Sequence, residues 1–139
     1  MPALAGKSTQ VLGDPDLPHT LTYLGDFARG LVTLGTHDQA LGEVWHLPSA
    51  ETLSTRAFIN LVFEVAGQQP KLRVLPASLL TVLALFSPTL RAVREQRYQR
   101  EAPWIVDHSK FAQAFGARTT PHPAAIAATL DWYRAADRS

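Results

Sequence analysis

The spacing of apolar and polar positions marks one helix more clearly than any other element of this chain. Between residues 54 and 67, apolar side chains recur at steps of three and four residues: Phe58, Leu61, Val62 and Val65. This spacing is typical of one face of an amphipathic helix. Ser54 or Thr55 can cap its start, and Gly67 with Pro70 ends it.

A second amphipathic helix is predicted to begin at Asp26, which can act as its cap, and to end at Gly35. Its apolar residues also share one face: Phe27, Ala28, Leu31 and Val32. The stretch before it contains several turn-forming residues and little periodicity, so residues 1–18 are expected to form an extended or irregular lead-in.

Three short runs have the pattern of β-strands: Leu21–Leu24, Glu43–Leu47 and Lys71–Leu75. In the middle run, Val44 and His46 share one face, and Trp45 and Leu47 share the other. Because apolar side chains occur on both faces, this strand is expected to be sandwiched between other elements.

The last third of the chain is predicted to be helical. Pro76 opens an apolar helix to Phe86, and a polar helix follows Pro88 to about Gln99. Asp107 or Ser109 begins a short helix with Phe111 and Phe115 that stops at Gly116. Pro123 suits the first turn of the final helix, whose expected buried stripe consists of Ile126, Leu130 and Tyr133.

Composition restricts the class of protein further. The 139 residues are enough for a single domain, 1–139, of mixed α/β character, mostly helical with a few short strands. Thirteen Lys plus Arg balance twelve Asp plus Glu, so we expect no nucleic-acid partner. No stretch approaches the roughly 20 apolar residues that span a bilayer, so no membrane partner is expected either. The absence of cysteine and of a signal-like start fits a cytoplasmic protein.

Catalytic and metal-binding motifs are weak in this sequence. The five histidines include no His-x-x-x-His, so structural or exposed roles are favoured over metal binding. Asp107, His108 and Ser109 contain the residue types of a catalytic triad, but neighbours in sequence point in different directions. Helix capping by Asp107 or Ser109 is the better interpretation.

A row of arginines offers one candidate for substrate binding. Four of them recur at every third position: Arg91, Arg94, Arg97 and Arg100. Three residues fall short of a full helical turn, so the row swings around the helix, and a solvated face is the favoured interpretation. If any of them binds substrate, Arg94 or Arg97 together with Tyr98 is the candidate group.

Several motifs occur in the same order as in a known family. From Trp104 the chain carries an Asp-x-Ser-Lys stretch, a Phe-Gly stop and a Thr-Pro-initiated helix that ends in Trp-Tyr. Upstream lie a Gly-x-Val-Trp-His-Leu segment from Gly42 and a helix that ends at Ala66-Gly67. Taken together, they resemble the C-terminal, substrate-binding half of extended short-chain dehydrogenases, the NAD-dependent epimerase/dehydratase family.

The resemblance implies a fold and a cofactor, and also a gap. It implies the C-terminal subdomain of an extended Rossmann-type dehydrogenase, whose full-length members use NAD or NADP. In the family, a glycine-rich turn binds the dinucleotide and a Tyr-x-x-x-Lys pair performs the chemistry. This sequence contains no such glycine-rich turn. It also contains no Tyr-x-x-x-Lys pair, because its three tyrosines are followed four positions on by Phe27, Ala102 and Asp137. We therefore expect neither a cofactor site nor catalytic residues in this chain.

The resemblance also indicates where a substrate would bind. Residues before the first helix face the substrate cleft in the family, which here makes candidates of His19, Thr20, Thr22 and Tyr23. A strand edge packed by Tyr23 and solvated at the threonines is an equally good interpretation. His46 lies at a position that is often polar in the family, and it is equally explained as a hydrogen-bonded interior histidine.

Two functions follow as hypotheses. The chain is either a truncated product or a separate subunit that supplies substrate specificity, for a small hydroxyl or carbonyl compound or a sugar nucleotide. In the family the Val44–Leu47 strand joins the nucleotide-binding sheet, so an unpaired edge predicts a Rossmann-domain partner or self-association. The alternative is a non-catalytic helical interaction module. An upstream reading frame with a glycine-rich turn and Tyr-x-x-x-Lys would favour the first.

Overall fold

A computed structural model describes residues 2–75, 85, 87, 89, 92 and 101–136. These residues form helices and a few short strands, which confirms the mixed α/β character expected from the sequence. The two helices predicted between Pro76 and Gln99 lie outside the described residues except at single positions. The candidate residues Arg94, Arg97 and Tyr98 also lie outside them.

The described part of the chain contains four α-helices: α1 (Leu24–Gly35), α2 (Thr55–Val65), α3 (Ser109–Phe115) and α4 (His122–Ala136). α2 begins as predicted, since Ser54 Oγ accepts a hydrogen bond from the Ala57 amide at 3.1 Å. α3 also ends as predicted at Gly116, whose φ of 78° is the left-handed conformation that favours glycine. A short 3₁₀ turn, Asp38–Ala40, follows α1.

The hydrophobic core lies between α2 and α4. Phe63 is fully buried and Leu130 is 1% exposed. The core cluster is completed by Ala3, Val62 and Ile126. Ile126 and Leu130 confirm the predicted stripe of the final helix, but Tyr133 is 38% exposed and does not belong to the core.

A parallel pair of strands ties the start of the chain to its middle. β1 (Thr9–Leu12) pairs with a strand at Leu72–Leu75, in a register that places Thr9 opposite Leu72. The strand predicted at Lys71–Leu75 is thereby confirmed. Residues 1–18, expected to be extended or irregular, are extended at Thr9–Leu12. The pairing of this strand was not predicted, because its partner lies far along the chain and local periodicity does not reveal it.

A second small sheet lies just before α1. β2 (Pro18–His19) pairs antiparallel with β3 (Leu53–Ser54), and the strand at Leu72–Leu75 is then β4. On the other side of β2, the Trp104 amide donates to the Pro18 carbonyl at 2.9 Å, and the Thr20 amide donates to the Trp104 carbonyl at 2.8 Å. The strand predicted at Leu21–Leu24 is wrong: pairing occurs earlier, and Leu24 already begins α1.

The start of α1 differs from the prediction. Tyr23 occupies the capping position, and Asp26 lies inside the first turn. Asp26 is 4% exposed, and its carboxylate accepts hydrogen bonds from the Thr120 amide at 2.7 Å and the Thr120 hydroxyl at 2.6 Å. Arg29 pairs with the same carboxylate. Asp26 therefore fastens α1 to the loop before α4 and does not cap its own helix.

The predicted strand Glu43–Leu47 is also wrong, since this segment belongs to no helix or strand. No described segment lies beside it to form a hydrogen-bonded ladder. It is held by its side chains, mainly by the Trp45 ring, which packs against Phe111 and Phe115 of α3. Side-chain packing fixes its position, but strand structure requires a paired backbone.

Candidate functional site

The candidate residues that precede α1 lie between two cavities. The first, which we call the His19 cavity, has a volume of about 640 Å³; its wall includes Val11, Leu12, Asp14, His19, Ile59 and Trp104. The second, which we call the Tyr23 cavity, has a volume of about 780 Å³; its wall includes Thr22, Tyr23, Phe58, His122, Ala128 and Trp132. Leu21 lines both cavities, so the segment between His19 and Tyr23 forms the partition.

His19 is the candidate that the structure places in a cavity with mixed polar and apolar walls. The His19 ring Nδ1 donates to the Leu17 carbonyl at 3.1 Å, which fixes the orientation of the imidazole. Trp104 pairs with His19 through a backbone bridge and is 60% exposed. An indole and an imidazole thus stand beside one opening, with the Asp14 carboxylate in the same wall. Walls of this kind suit a small molecule with both apolar and hydrogen-bonding parts.

Thr20 and Thr22 make hydrogen bonds that hold the segment before α1 in place. The Thr20 hydroxyl lies 3.1 Å from the Thr52 hydroxyl and accepts a bond from the Val106 amide at 3.0 Å. The Thr22 hydroxyl lies 2.6 Å from that of Ser49, which is buried. These bonds connect the segment before α1 to two other parts of the chain, residues 49–52 and Val106. Both threonines therefore position the partition between the cavities.

Tyr23 shapes the second cavity through close packing. Its carbonyl accepts the Asp26 amide at 3.0 Å and the Phe27 amide at 2.9 Å, which starts α1. Its ring lies so close to Gly25 that a Cβ there would stand 2.7 Å from the Tyr23 Cε1. A side chain at position 25 would displace the ring, so Gly25 is needed for the shape of the wall.

His46 lies away from both cavities. It is exposed, and its ring Nδ1 donates to the Asp107 carbonyl at 2.9 Å. Lys110 strengthens the same contact region: its Nζ donates to Glu43 Oε2 at 2.8 Å and to the Val44 carbonyl at 3.0 Å, and lies 4.3 Å from the centre of the Trp45 ring. His46 therefore helps to attach residues 43–47 to the start of α3.

Among the described residues, three carboxyl groups have lowered pKa values. A hydrogen bond from Lys110 lowers the pKa of Glu43, and a hydrogen bond from Arg56 lowers that of Asp16. The pKa of Asp107 is lowered mainly by the Ser109 backbone amide, and further by the nearby rings of His108 and His46. A carboxyl group with a lowered pKa is a poor proton acceptor at neutral pH. These groups are suited to holding the structure and not to acid–base catalysis.

Exposed apolar side chains lie on α1 and in the segment that follows it, where part of the backbone is unpaired. On α1 the exposed large residues are Leu24, Phe27, Leu31 and Val32, and beyond the helix they are Leu41 and Val44. From Val44 to Leu47, exposed and half-buried residues alternate, as in extended backbone. Apart from the Val44 carbonyl, no backbone group of Glu43–Leu47 has a hydrogen-bond partner within the described ranges. We call this surface the α1 face.

Sequence reasoning missed several residues of the two cavities. Trp104 carried no motif of its own, and its place beside His19 depends on a bridge between distant segments. His122 has no ligand spacing in the sequence, and its position directly before Pro123 indicates only the start of the final helix. No group of three or more His, Asp or Glu side chains among the described residues could hold a metal ion.

Comparisons with protein-family models, curated proteins and solved structures found no match to this chain. Among the helices of the described ranges, none has the length and apolar character needed to cross a membrane. The geometry of the two cavities and of the α1 face is therefore the basis for any functional argument.

Proposed function

We propose that this chain is the substrate-binding half of an NAD(P)-dependent oxidoreductase, epimerase or dehydratase, and that it becomes part of an active enzyme only with a cofactor-binding partner. Its substrate would be a small hydroxyl or carbonyl compound or a sugar nucleotide. The motifs shared with the extended short-chain dehydrogenases suggest the class. The α1 face is the observation that carries the proposal.

The α1 face has the two features expected of a surface that completes a larger sheet. Leu31 is 53% exposed and Val44 is 81% exposed, so apolar area remains uncovered. The adjacent backbone of Glu43–Leu47 offers amide and carbonyl groups without partners in the described part of the chain. A strand from a partner would satisfy these groups by β-augmentation and bury the apolar side chains at the same time.

The His19 cavity supports the substrate-binding part of the proposal. Its volume of about 640 Å³ fits a small molecule. Trp104 offers a flat apolar wall, while His19 and Asp14 provide polar groups nearby. A hydroxyl or carbonyl compound combines an apolar body with few hydrogen-bonding groups, which is the type of ligand that such a wall suits.

The proposal can be tested by supplying the missing half in trans. An NAD(P)-binding domain with a glycine-rich turn and a Tyr-x-x-x-Lys pair would be mixed with the chain, and amide hydrogen exchange would be followed. We expect rapid exchange of the Glu43–Leu47 amides in the isolated chain, and protection in the mixture. Leu31→Glu should prevent association, while Gln113→Glu, an exposed change on α3, should not. Protection of these amides in an isolated monomer would contradict the proposal.

Binding of cofactor provides a second test. Because the glycine-rich turn is absent from the sequence, titration of the isolated chain with NAD should give no saturable signal. Binding in the micromolar range would contradict the assignment of the cofactor to the partner. Sedimentation of the chain alone would reveal self-association, which is the other way to cover the α1 face.

The α1 face also favours a second candidate function, that of a non-catalytic interaction module. Such a module would use the exposed apolar helix but would have no need of the His19 cavity. Substitution His19→Ala distinguishes the two functions. It should weaken binding of a small substrate and leave partner association unchanged if the chain is a substrate-binding half; a module would bind no small substrate in either form.

A further inference from the structure

The Tyr23 cavity is a second potential binding site. Leu21 separates it from the His19 cavity, and it shares Leu24 with the α1 face. It lies between the start of α1, the middle of α2 and the length of α4, and has a volume of about 780 Å³. Its floor is formed by apolar side chains of α2 and α4: Phe58, Val62, Ile126 and Leu130. Three aromatic residues stand at its wall: Tyr23, Trp132 and Tyr133.

The absence of charged side chains from the lining of this cavity restricts the type of ligand that it can bind. None of its lining residues is Asp, Glu, Lys or Arg. A charged ligand would lose its hydration on entering and would find no opposite charge in the wall. An uncharged molecule with an apolar ring system would lose little hydration and would contact both the aromatic wall and the aliphatic floor. The electrostatic character of the wall therefore favours a neutral, ring-containing occupant.

One buried polar group interrupts the apolar wall. His122 is 4% exposed, and its ring Nε2 donates to the Glu51 carbonyl at 2.7 Å. Since a carbonyl can only accept, Nε2 carries the proton, and Nδ1 of the neutral ring is an acceptor. No described residue donates to this Nδ1. Edge-on packing against Phe58, with ring centres 5.7 Å apart, further fixes the imidazole.

We propose that the Tyr23 cavity binds an uncharged small molecule made of an apolar ring system with one hydroxyl group, which donates a hydrogen bond to His122 Nδ1. The aromatic wall and the floor of α2 and α4 hold the ring system. The orientation of the imidazole, set by Glu51 and Phe58, gives the hydroxyl a fixed acceptor. This site does not depend on a cofactor-binding partner and differs from the proposed substrate site beside His19.

Three related probes test this proposal on the full chain. Naphthalene, 2-naphthol and 2-naphthoate would be titrated separately and followed by the NMR signals of amides around each cavity. We expect all saturable shifts near Tyr23, Ala128 and Trp132, with 2-naphthol binding about five-fold more tightly than naphthalene because of one neutral hydrogen bond. 2-Naphthoate should bind more weakly than naphthalene. Equal affinities for the three probes would overturn the proposal.

Variants locate the site and the acceptor. Ala128→Trp fills the cavity and should weaken binding of every probe about ten-fold or more, whereas Ala124→Trp, an exposed change on the same helix outside the cavity wall, should not. His122→Phe should remove the preference for 2-naphthol while naphthalene still binds. If His122→Phe does not fold, the Ala128 and Ala124 pair with the three probes decides the matter.

Other occupants of the cavity give different results. Shifts confined to His19 and Trp104 would place the probes in the His19 cavity and overturn this proposal while leaving the proposed function intact. Concentration-dependent shifts at Trp132 without any probe, together with dimers in sedimentation, would assign the cavity to a second copy of the chain and would also overturn it.

Discussion

Helices α1 and α2 are similar in length and both amphipathic, but they bury opposite kinds of residue. α2 has 11 residues and buries Val62 and Phe63. α1 has 12 residues and buries Asp26 and Gly30, while Leu31 and Val32 remain exposed. Apolar spacing shows that a helix will form, but the surroundings of the helix decide which face is covered.

The neighbours of the two helices explain the difference. α2 packs against the apolar stripe of α4, so its own apolar face is covered within the chain. The inner face of α1 meets Thr120, which binds the Asp26 carboxylate, and Leu47, which packs so closely on Gly30 that a Cβ there would lie 2.6 Å from its Cδ2. The apolar face of α2 is covered within the chain, whereas the apolar face of α1 remains exposed.

The largest expected effect comes from truncating a core side chain. Phe63→Ala removes a ring with no exposed surface and should lower the free energy of unfolding by about 4 kcal/mol. Phe27→Ala, on the exposed face of α1, should lower it by less than about 1 kcal/mol. Urea unfolding of both variants measures the contrast. Equal losses would mean that the apolar face of α1 is packed as tightly as that of α2 in the isolated chain, which would contradict the difference between the two helices.

A smaller loss of stability is expected when the contact of Asp26 with Thr120, which joins α1 to the loop before α4, is weakened. Asp26→Asn keeps the shape of the side chain but removes the charge that strengthens the bonds from Thr120 and Arg29. The free energy of unfolding should fall by about 2 kcal/mol, the typical contribution of hydrogen bonds to a charged group. Asp38→Asn, an exposed change in the turn after α1, serves as the control. A loss of similar size in the control would show that the effect is not specific to the contact of Asp26 with Thr120.

The close approach of Gly30 and Leu47 gives a third test. Gly30→Ala improves helix propensity but forces the Leu47 side chain to move, and we expect a net loss of about 1 kcal/mol. Adding Leu47→Ala should relieve the clash, so the two changes together should cost less than their sum. Gly35→Ala meets no atom within 4 Å and should be neutral or slightly stabilising. Thermal unfolding of the wild type, the two single variants and the double variant would measure this coupling, and simple additivity would contradict the contact.

The smallest effect concerns pH and the attachment of residues 43–47 to α3. Lys110 lowers the pKa of Glu43 from its ordinary value of 4.5. The pair therefore stabilises the folded state fully at a pH above that value, where the carboxyl group is ionised in both the folded and the unfolded chain. This stabilisation is lost as the pH falls through the lowered pKa of the folded state. An NMR titration of the Glu43 carboxyl carbon should show the lowered midpoint, and Lys110→Gln should return it towards 4.5. An unchanged midpoint in this variant would exclude Lys110 as the cause.

Local signals in the sequence were sufficient for part of this fold. Ser54, one of the two residues predicted to cap α2, and the stop at Gly116 depend on neighbouring residues, and both are confirmed. The strand ending at Leu75 is confirmed as well, although its pairing joins distant segments. Of the candidate site residues, His19 and Tyr23 do line cavities. The cap and the stop share a cause, since each is fixed by chemistry within a few positions along the chain, whereas the cavities are built from distant segments.

Other features depended on distant contacts and could not be found in this way. Asp26 has the residue type of a cap, but its carboxylate is drawn to Thr120 on a far segment. Glu43–Leu47 has the spacing of a strand, but a strand also needs a neighbour, and the described chain provides none. The site role of Trp104 follows only from its bridge to His19. Residue type shows which interactions a residue is able to make, whereas tertiary contacts determine which of these interactions it makes in the folded protein.

The parallel pairing of β1 with β4 has a consequence for the order of events during synthesis. Thr9 leaves the ribosome long before Leu72 has been made, so β1 must wait while α1 and α2 emerge. Ala3, which belongs to the core, is positioned by the turn just before β1. A nascent chain that has not yet reached Leu75 therefore leaves Ala3 unplaced, and its future core stays exposed until Ile126 and Leu130 of α4 have also been made, the interval in which a chaperone would be useful.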